Sequence, residues 1–321
     1  MNNIDFIQIP DENKIKYRKT VDVIAIGLLL QTLLSEGSSY LFLVLSGAFS
    51  AFGLTKGSIA YNNISSGADI IVYALVFLLP ALFILKYAPE KNSSIGNKIK
   101  LPKNFISVLF AFLGCIAVCG SITAIIKVSI EEIGIGFHTF EFTIPHDILG
   151  TILFIVSSAV IPAIVEELLF RKAILGNLLP YGKWFAVILS SVCFSLMHRN
   201  PSQTIYTFVG GIILAVVVIN SNSVFPAMLL HFLNNLLSVV YMLIYEYASE
   251  QTYLLVVSCI DIVLQLCGII FVCVLFGKGF FELESHSDGL TFSPTKNLVR
   301  IYFVVYVLYS LFLSLRWVYA I

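Results

Sequence analysis

Two adjacent carboxylates lie inside an apolar run, Ile161-Pro162-Ala163-Ile164-Val165-Glu166-Glu167-Leu168-Leu169-Phe170-Arg171. Ionisable groups are costly in hydrocarbon, so an intramembrane glutamate marks a functional site by default. One apolar segment further on carries Phe194 and His198, and the next but one carries His231 and Asn235. A glutamate beside a histidine can hold a water and take its proton. N–H groups from His231 and Asn235, one helical turn apart, can stabilise the oxyanion of a tetrahedral intermediate. These are the parts of a hydrolytic site. Ser195 lies three residues before His198, but its surroundings do not form a nucleophile elbow.

Helical spacing divides the roles. Glu167 and Arg171 are four apart with the acid first, the favourable order for an ion pair. Glu166 is turned about 100° from that pair and is free to face a cavity. Phe194 and His198 share a face, as do His231 and Asn235, whereas Asn234 is turned away from His231. Pro162, four residues before Glu166, removes a backbone hydrogen bond and is expected to kink its helix. One glutamate and two histidines are also possible zinc ligands, although no H-E-x-x-H is present. The cofactor therefore stays open between none and a divalent metal such as zinc.

The elements that must carry these residues are membrane helices. Hydrophobic residues make up 58% of the 321, charged residues 12%, and the mean hydropathy is +0.93. Soluble domains hold about 25% charged residues, so the expected fold is an all-α polytopic helical bundle with eight or nine transmembrane helices. Apolar runs fall at 22–52, 68–88, 104–128, 147–175, 184–199, 202–219, 224–247, 253–276 and 299–319. The first contains Ser35-Glu36-Gly37-Ser38-Ser39, which calls for a kink or a polar cavity. Four blocks follow: a cytoplasmic segment 1–21, N-terminal spans 22–146, a catalytic core 147–247 and C-terminal spans 248–321. Zero net charge speaks against a nucleic-acid partner. The six cysteines lie in apolar runs without zinc-knuckle spacing and read as small buried hydrophobes. The polar first twenty residues lack the apolar core of a cleaved signal peptide.

Basic loops set the orientation. Lys14, Lys16, Arg18 and Lys19 precede the first span, Lys91, Lys98, Lys100 and Lys103 follow the second, and Lys278, Lys296 and Arg300 follow the eighth. The alternate loops carry Glu131, Glu132, Glu141, Asp147, Glu246 and Glu250. The N-terminus is thus expected in the cytoplasm of a cell membrane. Glu166 lies sixteen residues before Gly182 and His198 sixteen after it, so a hairpin there brings them level. A second turn at Asn220-Ser221-Asn222-Ser223 brings His231 and Asn235 to the same layer. Counted from these turns, the site is expected to be reached from the cytoplasmic side. Outside this layer, Asp69 reads as interfacial and Glu36 as lining water. His138 and His146 read as solvated loop residues and Lys127 as a snorkelling side chain, while Asp261 has no assigned place.

Glu166-Glu167-Leu168-Leu169-Phe170-Arg171 fits E-E-x-x-x-R, Phe194 to His198 fits F-x-x-x-H, and His231 to Asn235 fits H-x-x-x-N. In this order, on apolar helices, they resemble the three motifs of the CPBP intramembrane protease family, which takes in type II CAAX prenyl endopeptidases and bacterial bacteriocin-processing or immunity (Abi) proteins. The resemblance covers about residues 147–247. It implies Glu166 as base, His198 as its water-holding partner, His231 and Asn235 as oxyanion donors, and Glu167, Arg171 and Phe194 as supporting residues. It further implies a membrane-associated peptide or protein substrate taken from the bilayer. The rival readings are a non-catalytic membrane scaffold and an ion-coupled transporter using the same polar layer.

Overall fold

The computed structural model describes residues 11–89, 95–96, 98–138, 144–283 and 290–320. Lys91 and Glu141, used above for orientation, lie outside the described residues. The chain is an all-α polytopic membrane bundle. We number its helices α1 (Glu12–Ala51), α2 (Ile59–Tyr87), α3 (Phe105–Glu131), α4 (Ile148–Tyr181), α5 (Lys183–His198), α6 (Thr204–Ser221), α7 (Phe225–Tyr247), α8 (Glu250–Gly277) and α9 (Ile301–Ser314). Each expected apolar run has its helix. Among the described residues, seven helices are long and apolar enough to cross a membrane, while α5 and the segment Ile301–Trp317 are shorter. At sixteen residues, α5 spans about 24 Å, less than the ~30 Å hydrocarbon core.

The helix starts follow from local chemistry. Asp11, Ser58, Asp147 and Ser249 each accept a backbone N–H of the first turn of α1, α2, α4 and α8. Asp147 accepts Gly150 N–H at 2.8 Å and Asn63 Nδ2 at 3.1 Å. The Gly150 bond first, then Asn63, holds its carboxyl below the usual range.

Two tight hairpins set the core. Gly182 joins α4 to α5 at φ +119°, a backbone state closed to most side chains, and Asn222 ends α6 in the left-handed region at φ 50°. Elsewhere α3 and α8 meet backbone to backbone, since a Cβ on Gly114 would lie 2.4 Å from Gly268 Cα. On the far side of the bundle, β1 (Ile135–Phe137) pairs antiparallel with β2 (Val318–Ala320) and ties the chain's end to the segment after α3.

The apolar core is concentrated toward the two hairpin turns. Leu169, Phe170, Ala173, Ile174, Leu175 and Leu178 of α4 pack there with Tyr17, Ile24 and Leu28 of α1, Ile84 of α2, and Leu214 to Val218 of α6. α1 runs unbroken through Ser35-Glu36-Gly37-Ser38-Ser39, so the polar-cavity alternative holds for that stretch. The cysteines divide: Cys119 and Cys193 are buried, but Cys259 and Cys273 face outward on α8, correcting the reading of all six as buried.

Candidate active site

α4 changes its winding around the two glutamates. Residues Val156–Val160 and Leu168–Leu175 are π-helical, and the α-helical stretch Ile161–Glu167 lies between them. The helix therefore widens just before Pro162, which lacks the N–H that an α-turn would use there. Such turns redirect side chains, and here they bracket Glu166 and Glu167.

The two carboxylates then take different partners. Glu167 and Arg171 are both fully buried, with Arg171 Nε 3.2 Å from Glu167 Oε2. Glu167 Oε1 accepts the Nδ1–H of His231 at 3.0 Å. Arg171 also lies over the Phe194 ring, 4.8 Å from its centroid. That ring stands edge-on to Phe170, His198 and His231, with centroids 5.1, 4.9 and 5.9 Å away. Phe194 is thus the wedge against which both histidines and the arginine are set.

Glu166, 3% exposed, turns away from this pair into a cavity of about 850 Å³. Its Oε1 accepts the Tyr73 O–H at 2.5 Å; its Oε2 is 4.0 Å from His231 Nε2 and has no hydrogen-bond partner. His198 Nδ1 donates to Phe194 O at 2.9 Å, because a carbonyl can only accept. In the neutral ring that leaves the Nε2 lone pair free, and His198 lines the same cavity. His231 has committed Nδ1 to Glu167, so only Nε2 remains for other work. Asn235 lines the cavity as well, beside Asn234, whose Nδ2 donates to Asn235 Oδ1 at 3.4 Å. Ser195, by contrast, donates to Thr204 O at 2.8 Å and fastens α5 to α6.

The structure therefore brings Glu166, Phe194, His198, His231 and Asn235 to one cavity, with Glu167 and Arg171 buried behind it. It also corrects one reading: Asn234 is not turned away but lines the same cavity as His231. Asp69 lines the cavity too, as do Ser66 and Tyr73 on the same side of α2. His146 is solvent-exposed, as its sequence position implies, and lies 3.2 Å from Tyr247 and 3.7 Å from Glu246. Tyr73, the direct partner of Glu166, was missed, although Ser66, Asp69 and Tyr73 recur at helical spacing and form a readable polar stripe. Gln31, Ser35 and Ser38 make a similar stripe on α1. Glu36 binds Arg199 at 3.2 Å and also Arg316 at 2.5 Å, and Arg199 donates to Ser35 Oγ at 2.8 Å. Asp261 now has a place, accepting from Tyr241 at 2.7 Å.

Depth agrees with the hairpin count, but the direction of opening does not. On α4 the lining residues are Phe154, Ser157, Ser158, Pro162 and Glu166, with none beyond Glu166. On α7 they begin at His231 and run to Met242. Toward Gly182 and Asn222 the site is closed by the packed core, so entry from the side of those turns is overturned. Among the described residues no three His, Cys, Asp or Glu side chains are grouped closely enough to hold a metal.

The comparisons with known proteins meet this geometry at the same residues. Residues 148–237 match the Rce1-like family, described as type II CAAX prenyl endopeptidase Rce1-like. That stretch holds every residue of the three motifs. Over residues 148–237 the chain is similar to that family. A relative in Bacillus subtilis (strain 168), named "Putative membrane peptidase YdiL", is 27% identical over 166 residues, covering 50% of this chain. The match spans 66% of that relative's length, just under two thirds. No solved structure matches.

Proposed function

We propose that the chain is an intramembrane endopeptidase that hydrolyses a peptide bond of a membrane-associated peptide or protein. The observation that carries this reading is Glu166 Oε2, which accepts no hydrogen bond in a cavity shared with His198, His231 and Asn235. A water between Glu166 and the Nε2 of His198 loses a proton to the carboxylate, and the hydroxide adds to the scissile carbonyl carbon. The oxyanion so formed is met by the Asn235 amide N–H, and by Nε2–H of His231 when that ring carries both protons. The tetrahedral intermediate then breaks its C–N bond, with Glu166 returning the proton to the leaving amine. Glu167 and Arg171 position His231 and the Phe194 wedge. This route is drawn without a metal.

For the biological role we favour peptide processing or bacteriocin self-immunity in a bacterial membrane, with the N-terminus in the cytoplasm and residues 147–247 as the catalytic unit. Peptidomics of membranes carrying the parent or the Glu166→Gln protein tests the reading. Peptides that depend on the parent are expected; identical peptide sets would overturn it. The scaffold alternative predicts that Glu166→Gln keeps the full phenotype.

A further inference from the structure

The cavity is sealed at one end and open at the other, and the two ends differ in charge. Past Glu166, residues Leu169, Phe170, Ala173, Ile174, Leu175 and Leu178 of α4 are fully buried. On α6 the wall residues occupy the first half, Tyr206 to Leu214, whereas Ala215 to Val218 are fully buried. On α7, Ala227 and Leu230 are fully buried below His231, while Ser238 and Met242 above it line the cavity. These three helices thus run from solid core at the Gly182 and Asn222 turns to cavity wall at their other ends.

The sealed end carries the basic segments. Lys14, Lys16, Arg18 and Lys19 open α1 there; Lys98, Lys100 and Lys103 precede α3; Lys278, Lys296 and Arg300 lie between α8 and α9. The open end carries Glu131, Glu132, Asp147, Glu246 and Glu250. Short loops rich in Lys and Arg stay in the cytoplasm. The sealed end is then cytoplasmic and the mouth is not.

We propose that the cavity receives its ligand from the extracytoplasmic side, and that the ligand is an extended segment of a polypeptide already exported or crossing the membrane. The side of entry follows from packing and charge alone; the peptide nature of the ligand rests on the peptidase reading above. Gln31 supports an extended backbone. Its side chain is 1% exposed, lines the cavity, and has neither its amide N–H nor its carbonyl partnered. One donor and one acceptor side by side match the N–H and C=O of a peptide bond. A helical ligand would offer neither, because both are used within the helix.

The test is sidedness of thiol labelling with a membrane-impermeant sulfonated maleimide, on the full chain with its six cysteines replaced by serine or alanine. Ser66→Cys probes the cavity wall, Gln251→Cys the open-end surface and Lys100→Cys the sealed-end surface. In intact cells Ser66→Cys and Gln251→Cys should label, and Lys100→Cys should label only in inverted vesicles. Labelling of Ser66→Cys in inverted vesicles alone would overturn the proposal. So would its failure to label from either face while the two surface probes behave as expected. Labelling reads the side of entry whether or not a peptide is cut, so unchanged peptidomics with correct labelling would sink only the peptidase reading. Gln31→Leu should then raise KM for a peptide identified by the peptidomics and leave kcat close to the parent value. A KM equal to the parent's would remove Gln31 from the ligand's path.

Discussion

Glu166 and Glu167 are neighbours in sequence, yet neutralising them should have opposite consequences. Glu167→Gln removes the counter-charge of Arg171, and both side chains are fully buried at 3.2 Å. Breaking one half of a buried ion pair costs about 3–5 kcal/mol, because the remaining charge is left without solvent or partner. No other hydrogen bond relieves it: Nη1 and Nη2 of Arg171 have no hydrogen-bond partner, the Phe194 ring lies against it, and Glu166 acts on it only through space. The new amide oxygen can still accept from His231, so the loss is one of charge rather than of hydrogen bonding. Glu166→Gln strands no cation and replaces a buried carboxylate with a less heavily hydrated amide, so stability should hold or rise slightly. Cleavage should fall by roughly 10²–10⁴ through loss of the base. Thermal unfolding in detergent, read beside cleavage, separates the two variants. The double variant Glu167→Gln/Arg171→Met should recover much of the lost stability, since apolar replacement of a buried pair is often near neutral. A stable Glu167→Gln, or an unstable Glu166→Gln, would refute the assignment of partners.

Other consequences can be measured on the same protein. Tyr73→Phe removes the O–H that orients Glu166, and a hydrogen bond to a charged group is worth about 1.5–3 kcal/mol, so kcat/KM should drop roughly 10- to 100-fold with unchanged folding; parent-like turnover would show that Tyr73 is a bystander. Chelation by EDTA or phenanthroline should leave the purified protein active; activity lost to chelator and restored by zinc would reverse the metal-free route. Gly268→Val places side-chain atoms where α3 backbone already lies, and thermal unfolding should shift down, with retained stability showing that the α3–α8 contact is loose.

The site was legible because its chemistry obeys helical spacing. Four-residue offsets related Glu167 to Arg171 and Phe194 to His198, and the hairpin count set the depth of Glu166 and His198. What escaped depends on neighbours in space. Tyr73 reaches Glu166 from a helix 93 residues away in sequence. Asp69 lines the cavity, which its position along α2 does not show without what α2 packs against. The direction of opening was misread for a geometric reason: distance from a turn fixes how deep a residue lies, not which side of it is filled. That depends on the run of buried residues from Leu169 to Leu178, whose apolar character suits a core and a lipid-facing surface equally. The last helix and α5 counted as spans on hydropathy, though neither is long enough alone.

The two π-helical turns of α4 have a consequence for how this helix can change over generations. A π turn holds about one residue more than an α turn, so each behaves as a single-codon insertion that the fold has absorbed. Deleting one residue within Val156–Val160 would let the helix rewind as α. Everything before it, Phe154 included, would then rotate about 100° relative to Glu166. The same deletion within Leu168–Leu175 would swing Glu166 and Glu167 against the buried anchor below them, carrying the carboxylates off their partners without altering one of their atoms. Length, at these two places, is as much a determinant of the active centre as identity: relatives that differ by one residue there would present another wall to the cavity from the same motif.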